Sequence, residues 1–196
     1  LQSKPEKNFS IPLPKSIDIL IFWIGFGIDG VFTVTIVLMW AEVSGPQAAM
    51  LVGAYILAIR RISEMVLGPL SGQISDNFGT GLALIFTLVF CATGFLLIGC
   101  GALFYGCVLL VFCRGALGTL FPAAASKLYP EQRIFSLTRN QTWRDIGAAA
   151  GPFLTGLLLA FFGPEAIHLG TLGCFLITLG WFFLSGDCRR LFASGK

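Results

Sequence analysis

The sequence predicts an all-α membrane protein with six transmembrane helices, and three observations lead to this prediction. Of the 196 residues, 56% are hydrophobic and only 12% are charged. A soluble domain carries about 25% charged residues. The mean hydropathy is +0.84, and apolar stretches of about 20 residues, long enough to cross a ~30 Å hydrocarbon core, recur along the chain. Most of the surface is therefore expected to face something other than water.

Six apolar stretches mark the expected membrane spans. They lie at about residues 16–41, 47–71, 81–101, 103–127, 138–162 and 166–186. Six crossings leave both ends of the chain on one side of the membrane. The polar, proline-containing segment 1–15 is therefore expected to be a linker or tail, 16–186 the transmembrane bundle, and 187–196 a second tail.

The positions of lysine and arginine indicate the orientation, because these residues accumulate on the cytoplasmic side of membrane proteins. Nine lie in the N-terminal segment, the fourth connection and the tail: Lys4, Lys7, Lys15, Lys127, Arg133, Arg139, Arg189, Arg190 and Lys196. The first, third and fifth connections contain none. Both termini are therefore predicted to be cytoplasmic, in a plasma or inner membrane. The net charge of +3 follows from this distribution, so the expected partner is a lipid bilayer rather than nucleic acid.

The second connection, GQISDNFGTG at residues 72–81, is a short polar segment between two apolar stretches. Gly72 and Gly79 tolerate the unusual backbone angles that a tight turn requires. Asp76 is placed to cap the next helix or to accept hydrogen bonds from backbone amides. The residues of the turn alone are consistent with a capped turn as well as with a functional element.

The fifth span contains the segment WRDIGAAAGPFLTG, residues 143–156. Gly147 and Gly151 lie four residues apart on one helical face and are followed by Pro152 and Gly156. Small residues at this spacing allow two helix backbones to approach closely in lipid. The proline removes a backbone donor and bends the helix. These four residues are therefore predicted to mediate helix packing, and Gly72 and Gly79 of the second connection are predicted to do the same.

The order of these motifs resembles the major facilitator superfamily of secondary transporters. The family's loop pattern G-x-x-x-D-R-x-G-R-R is matched at Gly72, Asp76 and Gly79, although its arginines are absent here. The family's fourth helix often contains R-x-x-x-G, which Arg114 and Gly118 match. Its fifth helix often contains G-x-x-x-G-P-x-x-x-G, which the glycines and proline of the fifth span match.

The resemblance implies half of a transporter, since family members usually have two six-helix bundles joined by a cytoplasmic linker. Loss of the loop arginines and the polar start favour the C-terminal half. A half bundle of this kind consists of two inverted three-helix repeats, which would cover about 16–101 and 103–186. The implied partner is a second six-helix bundle, either the other half of the same protein or a second copy.

Two functions follow from the resemblance. The first is transport of a small solute by alternating access, as half of a symporter or antiporter. The alternative is a non-transporting scaffold or assembly factor that keeps the fold, which the absent loop arginines favour. An enzyme is not expected, because the sequence has no HExxH motif, no metal-ligand spacing and no nucleophile paired with a histidine. No cofactor or metal site is predicted.

Charged side chains within the spans are the candidate functional residues, because an ionisable group in lipid is costly and should face a partner or a cavity. They are Asp29, Arg60, Arg61, Glu64, Arg114, Arg144 and Asp145. Asp29 and Arg60 lie nearest the midplane and are predicted to bind substrate or protons. The cytoplasmic latch of the resemblance adds Asp76 to a gating or ion-pair group with Glu64, Arg114, Arg144 and Asp145. A static ion-pair network is the alternative.

Three further expectations concern position along the helices. Arg60 and Glu64 lie one turn apart, which permits an intrahelical ion pair. Glu64, Arg114 and Asp145 lie at similar depths and would meet if their helices adjoin. The single histidine, His168, begins the sixth span and is expected to be a solvated residue at the outer face.

Overall fold

The computed structural model describes residues 13–193, and this part of the chain is helical without any strand. The elements are α1 (Ser16–Ile24), a π-helical segment (Gly25–Phe32), α2 (Thr33–Ser44), α3 (Pro46–Phe78), α4 (Thr80–Gly99), α5 (Leu103–Leu128), a 3-10 turn (Pro130–Gln132), α6 (Arg133–Leu158), α7 (Pro164–Leu184) and α8 (Asp187–Ala193). The all-α prediction is confirmed for these residues. Most of the predicted linker, residues 1–12, lies outside the described part.

Four helices are long and apolar enough to cross a membrane, and they indicate an integral membrane protein. They are Ser16–Ser44, which is α1, the π-helical segment and α2 in continuation, together with α4, α5 and α7. The remaining long helices, α3 with 33 residues and α6 with 26, are long enough to cross but contain several charged side chains, among them Arg60 and Glu64 in α3 and Arg139 and Arg144 in α6. Of the six predicted spans, four therefore correspond to apolar helices, and two correspond to long helices that contain charged residues.

The outer surface of the bundle is rich in exposed apolar side chains. Phe86 is 61% exposed, Phe90 52%, Phe112 46% and Ile177 74%. Water-soluble monomers rarely expose large contiguous apolar patches, whereas lipid accommodates them. This surface is consistent with the apolar helices lying in a bilayer.

The interior is packed by large apolar residues from the apolar helices. Leu20 of α1, Phe95 of α4, Phe121 of α5 and Phe175 of α7 are completely buried. Helix α5 packs against both α3 and α4, while α6 packs against α1 and the π-helical segment. Of the two charged helices, α6 therefore packs directly against the segment that carries Asp29, while α3 packs against α2, α4 and α5.

The predicted turn at residues 72–81 is almost entirely helical, because α3 continues to Phe78. Gly79 alone turns the chain, with a φ of +93°. The prediction that Gly72 forms the turn is wrong, since this residue lies within α3. Asp76 is exposed and caps no helix in the described residues. The side chain of Ser75 instead bonds that of Thr80 across the turn, at 2.7 Å.

Both ends of the described chain meet at one end of the bundle. The tail predicted at 187–196 begins with helix α8, which buries Cys188 and Leu191 against the bundle. Asp187 at the start of α8 accepts a hydrogen bond from Ser16 Oγ at the start of α1. This contact agrees with an even number of long helices between the two ends.

Candidate functional site

Helix α6 approaches the first helix through glycine, as the spacing of small residues predicted. A Cβ at Gly147 would lie 2.2 Å from the carbonyl oxygen of Phe22. A Cβ at Gly151 would lie 2.6 Å from Cα of Gly30. Pro152 takes part in the same contact, because its Cδ lies 3.1 Å from the position of a Cβ on Gly30. Only glycine permits backbones this close.

Three of the glycines predicted to mediate helix packing make no close contact in the described residues. A Cβ at Gly156 or at Gly79 would have no neighbour within 4 Å among residues 13–193. A Cβ at Gly72 would meet only Cγ2 of Thr119, at an ordinary 3.8 Å. Spacing along a helix identifies residues on one face, but it does not tell where the neighbouring helix leaves that face.

The π-helical segment places Asp29 among three helices. Its sequence, GFGIDGVF, contains glycines that pack against neighbours, as Gly30 does against α6. A π turn inserts one extra residue per turn and is frequent at functional sites. The segment therefore combines close packing with a departure from regular α-helix.

Asp29 holds together two arginines from different helices. Arg114 Nε on α5 donates to Oδ1 of Asp29 at 2.9 Å, and Arg60 Nη2 on α3 donates to the same oxygen. Exposed fractions of the three side chains are 11% for Asp29, 12% for Arg60 and 10% for Arg114. The carboxylate is thus the shared partner of two largely buried guanidinium groups.

The remaining charges pair around this centre. Arg60 Nε also contacts Glu64 Oε1 at 3.4 Å, so the predicted intrahelical pair is present. Arg61 Nη1 donates to Glu64 Oε2 at 2.8 Å. Arg144 Nη2 donates to Oδ1 of its neighbour Asp145 at 2.7 Å. In the described residues neither Glu64 nor Asp145 forms an ion pair with Arg114, although their similar depth had suggested that the three would meet.

One cavity of about 480 Å³ collects all seven charged candidates, and we call it the charged cavity. Its lining comprises Asp29, Arg60, Arg61, Glu64, Arg114, Arg144 and Asp145, with Gly115, Gly118, Thr119 and Ala148. Gly115 allows α5 to approach α3, because a Cβ there would lie 2.7 Å from the carbonyl oxygen of Ser63. The cavity lies between the π-helical segment, α3, α5 and α6.

No protein-family model, curated protein or solved structure matches this chain. Function must therefore be inferred from the geometry of the charged cavity and from the sequence. The predicted roles of Asp29 and Arg60 in binding substrate or protons, and of the other charges in gating, stay predictions.

A second buried ion pair, which sequence reasoning missed, joins α1 to α6. Arg139 Nε donates to Oδ2 of Asp18, and Asn140 Nδ2 donates to Oδ1 at 3.3 Å. Asp18 is 0% exposed and Arg139 is 4% exposed. Arg139 had been counted only as a cytoplasmic cation. The sequence offers one signal for this pair: an aspartate lies at the start of the first span and an arginine at the start of the fifth.

Removing the arginine of this pair is expected to destabilise the bundle. The substitution Arg139→Gln leaves a buried Asp18 carboxylate without its counter-ion, which costs about 3–5 kcal/mol. Denaturant unfolding in detergent measures the loss. Arg133→Gln, at an exposed position on the same helix, is the matched control and should change the free energy of unfolding by less than about 0.5 kcal/mol. Equal stability of the two variants would contradict this role for the pair.

Tyr129 forms further polar contacts at the same end of the bundle. Its hydroxyl donates to Asp187 Oδ2 at 3.3 Å, and Lys15 Nζ lies 3.7 Å from the ring centroid. Burial, reinforced by the negative charge of Asp187, raises the pKa of Tyr129 to about 12. The phenol therefore remains protonated at physiological pH and keeps its donor role. The contacts connect α1, the chain after α5, and α8.

The prediction of a solvated His168 is wrong. The residue is 0% exposed, and its Nε2 lies 2.8 Å from Thr35 Oγ1. The threonine hydroxyl also lies 2.8 Å from the carbonyl oxygen of Val31, to which it can only donate. Helix α7 begins at Pro164, so His168 lies one turn inside and faces the first helix. Position near a helix end did not reveal which face the side chain occupies.

Proposed function

We propose that this chain is one six-helix half of a facilitator-like secondary transporter, with the charged cavity as its part of the solute pathway. The observation that carries the proposal is the collection of seven ionisable side chains in one cavity between four helical segments. Ionisable residues inside a membrane protein characteristically line substrate or ion pathways. An outer surface of apolar side chains around this polar centre is what a transport bundle requires.

In this proposal α3 and α6 are the two remaining spans. Helices that line a polar pathway carry charges on the lining face, which lowers their hydropathy relative to the four apolar helices. The contact between Ser16 and Asp187 supports an even number of crossings. The distribution of lysine and arginine supports cytoplasmic termini. A second six-helix bundle would cover the cavity from the side of α3 and α6, and the motif pattern favours this chain as the C-terminal half.

The ion pairs suggest how movement could be coupled to binding. Asp29 connects the π-helical segment to α3 through Arg60 and to α5 through Arg114. A solute or proton that competes for these groups weakens two inter-helix contacts at once. Solute binding would then change the relative free energies of the two conformations through the contacts of Asp29.

A non-transporting scaffold is the second candidate, and one observation favours it. Every carboxylate of the charged cavity in the described residues already has an arginine partner, as in a static network that holds helices in register. Asp76, the residue of the family's cytoplasmic latch, is exposed and unbonded among residues 13–193.

Uptake by reconstituted protein distinguishes the two functions. The complete protein that contains this chain is placed in liposomes with a mixture of isotope-labelled organic acids, amino acids, sugars and polyamines, and accumulated solute is identified by mass spectrometry. Asp29→Asn and Arg60→Gln are each expected to reduce uptake at least about tenfold. Arg60→Gln removes a charged group of the pathway, and Asp29→Asn removes the contact through which solute binding is coupled to movement of the helices. Arg133→Gln should transport normally. Absence of uptake of every solute, or uptake unaffected by both changes, would support the scaffold instead.

A further inference from the structure

We propose that the charged cavity binds a small hydrophilic anion through Arg60 and Arg114, in competition with the carboxylate of Asp29. The anion would carry a carboxylate or phosphate group. The inference names the substrate class of the transport site, and to that extent it rests on the proposed function. Binding itself does not require that the protein transports.

The charge balance of the cavity favours an anion. Its lining contains four arginines and three carboxylates, which leaves one positive charge uncompensated. Arginine does not lose its charge at physiological pH. An uncompensated charge away from water is costly. The Arg61 side chain is 76% exposed, whereas Arg60 and Arg114 are 12% and 10% exposed and share one carboxylate, so a bound anion reduces the cost at these two arginines.

The excess of positive charge is greatest around Asp29, where two arginines share one carboxylate. Arg60 and Arg114 both donate to a single oxygen, Oδ1, of this one carboxylate. Arg60 has a second partner in Glu64, at 3.4 Å, but Arg114 has no other side-chain partner within the described part of the chain. A guanidinium group has five N–H donors in a planar fork that matches carboxylate and phosphate oxygens. Arg114 therefore presents donors that Asp29 does not use.

A cation is a poorer candidate for this cavity. It would add to the positive excess and would have to displace arginines from Glu64 and Asp145. Those carboxylates are engaged by Arg61 at 2.8 Å and by Arg144 at 2.7 Å.

The rest of the lining restricts the size and polarity of the anion. Beyond the charged residues, the wall consists of Gly115, Gly118, Thr119 and Ala148. No aromatic or large aliphatic side chain lines the cavity in the described residues, so an extended apolar ligand would find no apolar contact. A volume of about 480 Å³ is in the usual range for small-molecule sites. A compact hydrophilic anion fits these properties.

Binding is tested with matched charged and neutral probes. The complete protein is purified in detergent, and binding of succinate, succinamide and inorganic phosphate is measured by calorimetry and by thermal unfolding, with ionic strength held constant by sodium chloride. Succinate or phosphate is expected to bind and to raise the melting temperature. Succinamide, a neutral analogue of nearly the same shape, is expected to do neither. Succinamide binding as tightly as succinate, or no binding of either anion, would overturn the proposal.

Variants identify the groups that hold the anion. Arg60→Gln and Arg114→Gln should each weaken binding at least about tenfold, whereas Arg133→Gln should leave the dissociation constant unchanged. Asp29→Asn should tighten binding, because it removes the competing carboxylate. If the glutamine variants do not fold, Arg114→Lys keeps the charge without the fork and should still weaken binding. Unchanged affinity in the folded Arg60 and Arg114 variants would contradict the site.

The outcome is separable from that of the transport experiment. Anion binding by a protein that takes up no solute would uphold this inference and contradict transport. Uptake of a sugar or polyamine by a protein that binds neither anion would uphold transport and contradict the inference.

Discussion

Gly147→Ala is expected to destabilise the bundle by about 3 kcal/mol or more, because its Cβ would make the shortest contact of any described glycine position. The added Cβ would lie 2.2 Å from the carbonyl oxygen of Phe22 and 3.0 Å from the backbone nitrogen of Phe26. Overpacking in a core costs about 1–3 kcal/mol when side chains can yield. Here the neighbours are backbone atoms of another helix, so α6 itself must move away from the first helix.

Gly156→Ala is the matched control, because it adds the same methyl group to the same helix. Nothing lies within 4 Å of that Cβ, and alanine favours a helix by about 1 kcal/mol over glycine. This variant should be as stable as the unmodified protein or more so. Denaturant unfolding in detergent measures both. Similar effects of the two substitutions would refute the close contact between α6 and the first helix.

Asp29→Asn is expected to cost about 3–5 kcal/mol of stability when no anion is present. The change leaves Arg60 and Arg114 without their common counter-ion, and removing one partner of a buried ion pair has effects of this size. Because both arginines depend on one oxygen, the variants Asp29→Asn and Arg114→Gln should not be additive. A double-mutant cycle should give a coupling of at least about 1 kcal/mol.

Asp76→Asn serves as the control for this substitution. Asp76 is exposed and forms no ion pair in the described residues, so its change should stay within about 0.5 kcal/mol. Addition of succinate or phosphate to the Asp29→Asn variant should recover part of the lost stability. Additive effects of Asp29→Asn and Arg114→Gln would instead mean that Asp29 does not hold these arginines together.

The positions of the helices follow closely from the sequence, because apolar stretches of about 20 residues are a strong signal. The bounds of α4, α5 and α7 were predicted within two residues. Helices α3 and α6 were predicted less well, since both continue beyond their apolar parts. At the end of α3, the polar segment stays helical to Phe78, and Ser75 bonds Thr80 across the turn at Gly79.

The membership of the candidate site and the pair within one helix, Arg60 with Glu64, were predictable, whereas the pairing between helices was not. The cost of a charge in lipid is enough to expect that Asp29, Arg60 and Arg114 gather in one place. Which residue binds which depends on helix adjacency, and Asp29 and Arg114 lie 85 positions apart. For the same reason the sequence did not reveal the pair of Asp18 and Arg139, which lie 121 positions apart.

The central claim is that α3 and α6 cross the membrane together with the four apolar helices. Single cysteines are introduced into a cysteine-free variant of the complete protein at Ser44→Cys and Asn77→Cys, which flank α3, and at Glu131→Cys and Gly163→Cys, which flank α6. Labelling with a membrane-impermeant thiol reagent in oriented vesicles then reports the side of each position. We expect positions 77 and 131 to be labelled from the cytoplasmic side, and positions 44 and 163 from the opposite side. Labelling of both ends of α3, or of both ends of α6, from one side would contradict the six-span arrangement and the transport pathway built on it.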